Sequence, residues 1–88
     1  MSMTTTVQVT VRFFAAARAA AGAETEPVSL QPGTTVADLV DQLGQRNAEL
    51  AKVLKRCSFL CDGFAVRDTA TTLAPGQTVD VLPPFAGG

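Results

Sequence analysis

The sequence predicts an α+β fold: one mixed sheet with helices packed on one face. Three observations carry this reading. Strongly alternating, β-branched segments stand near both ends of the chain, a capped amphipathic helix lies between them, and the main elements run strand, strand, helix, strand, strand. A chain of 88 residues supports a single domain with one modest core. A two-domain enzyme with an interdomain cleft is excluded.

The first segment, Val7-Gln8-Val9-Thr10-Val11-Arg12-Phe13, alternates strictly, which predicts a strand with its odd positions facing the core. Residues 14–21 are Ala-rich and favour helix, and Gly22 stands where a left-handed residue would end it. Pro27-Val28-Ser29-Leu30-Gln31 alternates again and is closed by the turn dipeptide Pro32-Gly33. Thr35 precedes Asp38 by three residues, as in a capping box, and Val36, Leu39, Val40 and Leu43 follow at helical spacing. This principal helix is expected to end near Gly44.

A weaker helical pattern covers residues 47–56. Leu50, Val53 and Leu54 share one face, while Lys52, Lys55 and Arg56 lie elsewhere in a solvated last turn suited to the helix dipole. A strand over residues 58–61 turns at Asp62-Gly63 into Phe64-Ala65-Val66, and Leu73 precedes a Pro75-Gly76 turn. The last strand, residues 78–82, points Val79 and Val81 inward. The first and last strands are the most strongly patterned, so they are expected side by side and parallel at the sheet centre. The long chain between them supplies the crossover that parallel pairing needs.

Composition narrows the function. Hydrophobic residues make up 47% and charged ones 17%, which suits a globular domain. A net charge of −1 leaves no electrostatic footprint for nucleic acid or an anionic membrane, so the expected partner is a protein or a small molecule. His, Tyr and Trp are all absent, which removes the usual neutral-pH base and the commonest nitrogen ligand for metals. No G-x-x-x-x-G-K phosphate loop is present, and Ser2, Ser29 and Ser58 have no base to activate them.

Asp38, Asp41, Asp62, Asp68 and Asp80 are scattered without acid–base spacing, and capping, turn formation and solubility account for them. In the segment Cys57-Ser58-Phe59-Leu60-Cys61, read as a strand, Cys57, Phe59 and Cys61 fall on one face. Two such cysteines stand about 13 Å apart along a strand, beyond the roughly 7 Å limit for a disulfide. They are expected to be buried filler in a reducing compartment, and no metal site is expected. The apolar run over residues 13–23 is interrupted by Arg18 and is rejected as a signal segment, and no stretch approaches the length of a membrane span. A cytoplasmic protein is expected.

The closing residues Pro83-Pro84-Phe85-Ala86-Gly87-Gly88 are the anomaly. Two prolines end the strand and stiffen its exit. Phe85 is an apolar anchor beyond the core. Gly87 and Gly88 lack Cβ atoms, so their backbone passes through a channel too narrow for side chains. Six extended residues reach about 20 Å, enough to present an α-carboxylate inside a partner's active site. A Gly-Gly end alone is a weak signal, but following Pro-Pro and an apolar residue in a domain short of catalytic groups it reads as functional.

Taken with Thr34-Thr35-Val36-Ala37-Asp38-Leu39 and Leu73-Ala74-Pro75-Gly76-Gln77-Thr78-Val79-Asp80-Val81, that ending makes the chain resemble the MoaD/ThiS family of ubiquitin-like sulfur carriers, most closely its molybdopterin synthase small subunits. The resemblance spans nearly the whole chain and implies a β-grasp domain over residues 1–82 with a flexible functional tail over residues 83–88.

It also implies a chemistry. Gly88 bears the adenylate and then the thiocarboxylate, Gly87 threads, and Pro83, Pro84, Phe85 and Ala86 form the docking stem. Phe14, on the outer sheet face, adds to the docking surface or packs under the neighbouring helix. The implied partners are a MoaE-like large subunit, a MoeB-like E1 adenylating enzyme that uses ATP, and a sulfurtransferase or cysteine desulfurase as the sulfur source. The large subunit provides the acids and bases, in a heterotetramer with a small subunit at each end, so this chain is not catalytic alone and binds no cofactor itself. Two alternatives remain open: a carrier for thiazole or cysteine synthesis, and a ubiquitin-like conjugation or binding module.

Overall fold

Strand β1 (Val7–Phe13) buries Val7, Val9, Val11 and Phe13 and turns its even residues outward, as its period-two pattern requires. In the computed structural model, which describes residues 6–84, it is followed by α1 (Ala15–Ala21), β2 (Thr25–Leu30), α2 (Val36–Gly44), α3 (Ala48–Leu54), β3 (Ser58–Cys61), β4 (Phe64–Ala65) and β5 (Thr78–Leu82). The five strands form one mixed sheet in the order β2-β1-β5-β3-β4. The pair β1–β5 is parallel, with Val11 opposite Val79, and the other three pairs are antiparallel. The two strongest strands therefore lie together inside the sheet, as their patterning predicts.

One apolar core joins the inward sheet residues to the helices. Ala17 of α1, Val36, Leu39 and Leu43 of α2, and Leu50 and Leu54 of α3 pack in the same cluster as Val9, Val11, Phe13, Val79 and Val81. Leu73, from the long connection into β5, completes it. Cys57, Phe59 and Cys61 line the margin of this core, so the predicted shared face is present.

The local signals act where the sequence places them. The Thr35 hydroxyl accepts from the Asp38 N–H at 3.2 Å, and the Asp38 carboxylate accepts from the Thr35 N–H at 3.1 Å, a reciprocal capping box that starts α2. Gly22 ends α1 in the left-handed region at φ 74°, with its N–H on the Arg18 carbonyl. Asp62 and Gly63, at φ 50° and 84°, make the two-residue turn between β3 and β4, where two positive φ values match the twist of the paired strands.

Four elements differ from expectation at their boundaries. β2 begins at Thr25 rather than Pro27 and stops at Leu30, because β1 supplies partners as far as Arg12 opposite Thr25. Pro27 is tolerated because β2 is an edge strand. α1 starts at Ala15, with Phe14 extended as its N-cap. α3 covers only Ala48–Leu54: Asn47 caps it through its side-chain oxygen, and at its far end turns carry Arg56 N–H to Val53 and Cys57 N–H to Leu54. Lys55 and Arg56 thus lie past the helix rather than in its last turn, and Cys57 precedes β3. β4 stops at Ala65, before Val66.

Among the described residues, no helix is long and apolar enough to cross a membrane.

Candidate functional site

The site begins where β5 leaves the sheet. β5 is held on both sides, by β1 and by β3, and Leu82 opposite Ser58 is its last paired residue. Pro83 is buried beyond it and Pro84 is exposed, and neither has an N–H to extend the ladder. The predicted stem therefore leaves from a strand paired on both sides. Phe85, Ala86, Gly87 and Gly88 lie outside the described residues.

Phe14 stands at the same end of the sheet, with its N–H on the Val81 carbonyl at 3.2 Å. Phe14 is 36% exposed and follows the inward-facing Phe13, so it takes the outward parity of β1. The Arg12 guanidinium lies 5.6 Å from the ring centroid, within cation–π range. The structure thus brings Phe14, Pro83 and Pro84 to one end of β5.

A residue pair that sequence reasoning missed lies beside Phe14. Arg12 donates through Nε to Asp80 Oδ1 at 2.6 Å and through Nη2 to Oδ2 at 2.8 Å, a two-pronged pairing between cross-strand neighbours. The Asp80 side chain is 7% exposed, so the expectation that this aspartate serves only capping, turns or solubility is corrected. The carboxylate pushes the Arg12 guanidinium still further above its ordinary pKa, first by hydrogen bonding and then by charge. Register places Leu60 opposite Asp80 on β3, so Phe14, Arg12, Asp80, Leu60 and Leu82 share the helix-free face. No spacing in the sequence signals this pair, because its members are 68 residues apart.

Both thiols are held toward their neutral form. Burial pushes both Cys57 and Cys61 above the ordinary thiol range, and at Cys61 the Asp62 charge adds to it. Cys57 Sγ also donates to the Val53 carbonyl at 3.2 Å. Alkylation of the native protein by iodoacetamide is accordingly expected to be slower at neutral pH than in the urea-unfolded chain, and to accelerate at higher pH. Equal rates in the two states would refute this. Among the described residues, no group of three or more His, Cys, Asp or Glu side chains forms a metal site.

The decisive likeness covers both the sheet and the tail: a model of the ThiS family matches residues 11–88. The chain belongs to the ThiS family. It is 37% identical over 84 residues to a molybdopterin synthase sulfur carrier subunit of Mycobacterium tuberculosis, covering 93% of this chain and 99% of that protein. It is 31% identical over 83 residues to the protein of the same name from Chlamydomonas reinhardtii, covering 93% and 100%.

Among solved structures, it is similar to a candidate molybdopterin converting factor, subunit 1, from Pyrococcus furiosus, with a TM-score of 0.81 and 26% identity over 90% of this chain and 99% of that one. The small archaeal modifier protein 1 of Methanosarcina acetivorans superposes with a TM-score of 0.79 at 26% identity, over 96% and 99%. Like these neighbours, the chain has the β-grasp, ubiquitin-like fold.

Proposed function

We propose that this ThiS-family chain is the sulfur carrier subunit of a cytoplasmic molybdopterin synthase, with the Gly88 carboxylate as the group that carries sulfur. The observation that carries the reading is the near-full-length identity to two molybdopterin synthase sulfur carrier subunits. The ending Pro83-Pro84-Phe85-Ala86-Gly87-Gly88 supplies the chemistry, since its last two residues offer a backbone without side chains that leads to one carboxylate.

A carboxylate does not expel oxide at neutral pH. An E1-like enzyme therefore transfers AMP from ATP to Gly88, releasing pyrophosphate, and AMP becomes the leaving group. Persulfide sulfur, from a sulfurtransferase or cysteine desulfurase, attacks the carbonyl carbon, and a second thiol cleaves the resulting acyl disulfide to leave the thiocarboxylate. The loaded tail then enters the large subunit, where sulfur passes to cyclic pyranopterin monophosphate. In this scheme Pro83, Pro84, Phe85 and Ala86 dock, Gly87 threads, and the exposed Phe14 extends the contact. The working assembly is a heterotetramer with one carrier at each end of a large-subunit dimer.

Burying Phe85 in the partner contributes on the order of 2 kcal/mol. Phe85→Ala is therefore expected to weaken binding to the large subunit about thirtyfold without unfolding the domain. Calorimetry showing unchanged affinity would remove Phe85 from the docking stem.

The test of function is intact mass after incubation with ATP, the activating enzyme and a sulfur donor. A gain equal to one oxygen-for-sulfur exchange, confined to the peptide containing Gly88, is expected. The likeness to a small archaeal modifier protein favours a second reading, in which Gly88 forms amide bonds with lysines. An isopeptide-linked ladder in extracts, with no sulfur gain, would establish that reading instead.

A further inference from the structure

A groove of about 520 Å³ opens at the root of the tail, between residues of α1, α3 and the strand exit. Ala16 of α1, Val53 of α3, Pro83 and Pro84 give it apolar walls, and Lys52, Lys55 and Arg56 give it charge. No carboxylate lines it. None of the three cations joins an ion pair among the described residues, and neither does Arg67, whereas Arg12, Arg18 and Arg46 each do.

The end of α3 explains why cations are tolerated here, since its last carbonyls favour positive charge. It does not explain why they rim an apolar groove. Three like charges held together repel one another, and this cluster sits in a chain whose net charge is −1. The cluster is therefore local and suited to a counter-charge brought from outside.

We propose that this groove binds an acidic segment, carboxylates interspersed with apolar side chains, of the protein that receives the tail. The proposal rests on the reading of Pro83 and Pro84 as a docking stem, because both belong to the groove wall. The mixed lining selects a peptide over a phosphate or a nucleic acid, since most of the lining residues are apolar and would be left uncovered by either. A segment seated here grips the carrier where the tail begins, which sets the direction in which the tail leaves. The contact is electrostatic in part, so it favours fast encounter and weakens with salt.

The test is an NMR titration of the full ¹⁵N-labelled chain with the synthetic peptide acetyl-Asp-Leu-Glu-Asp-Leu-Glu-amide. Saturable shifts are expected at the amides of Ala16, Lys52, Val53, Lys55 and Arg56, and they are expected to fade as salt rises to about 0.5 M. The variant K52E/K55E/R56E, whose substitutions are all at exposed positions, is expected to keep its spectral dispersion and bind at least about tenfold more weakly. Shifts that are absent, scattered over the surface, or equal for the Asn/Gln version of the peptide would overturn the proposal.

The same titration on a chain lacking Gly87 and Gly88 separates the groove from the tail chemistry. Retained binding supports the groove, and lost binding overturns it. A full chain that binds the peptide yet gains no sulfur overturns only the sulfur-carrier reading.

Discussion

A chain lacking Gly88 is expected to fold like the full protein and to lose at least about a hundredfold in sulfur loading and delivery. The first half follows from the core, whose buried residues all lie between Val7 and Val81. Folding is built on that cluster, so the far-UV circular dichroism and denaturation midpoint should be unchanged. The second half follows from reach. Removing one extended residue withdraws the terminal carboxylate by about 3.5 Å, and the shortened tail ends at Gly87. Misplacement of a reacting atom by even about 1 Å costs on the order of a hundredfold, so the carbonyl carbon would fall short of both ATP and the pterin.

Intact mass after the loading reaction and single-turnover transfer to the large subunit read the two steps separately. Full loading and transfer by the shortened chain would end the case for Gly88 as carrier.

Phe13→Ala is expected to lower stability by about 3–5 kcal/mol, against a total of roughly 5–15 kcal/mol for a domain of this kind. Phe13 is 1% exposed and sits where three elements meet: it is opposite Val81 of β5, donates its N–H to the Glu24 carbonyl at 2.8 Å, and precedes the first turn of α1. Truncation leaves a cavity that neither the sheet nor the helix can close without moving the other.

The comparison variant is Phe64→Ala. Its side chain is 78% exposed, so its removal is expected to change stability by no more than about 0.5 kcal/mol. With neither Trp nor Tyr in the chain, denaturant curves followed by far-UV circular dichroism are the appropriate measurement. Similar midpoints for the two variants would contradict the placement of the core.

These two predictions differ in where their information lies. The role proposed for Gly88 is read without coordinates, from Pro-Pro followed by an apolar residue and Gly-Gly after the last strand. The contrast between Phe13 and Phe64 is only half legible. Strict alternation in β1 marks Phe13 as inward, but β4 is two residues long and offers no period from which the exposure of Phe64 can be read.

The chain alone determined its α+β class, the parallel pairing of its first and last strands, the capping box at Thr35 and Asp38, and the turn at Asp62 and Gly63. Each of these signals is written within a few neighbouring residues, because strand and helix faces repeat every two and 3.6 residues and turns depend on one or two backbone angles. Tertiary structure decided the rest. The β1–β5 register alone sets Arg12 against Asp80, pairing on β1 carries β2 back to Thr25, and the packing of α1, α3 and the strand exit gathers Lys52, Lys55 and Arg56 around Pro83 and Pro84. Such contacts join residues far apart in the chain, and they are chosen by the best burial of the whole sheet, which no local window contains.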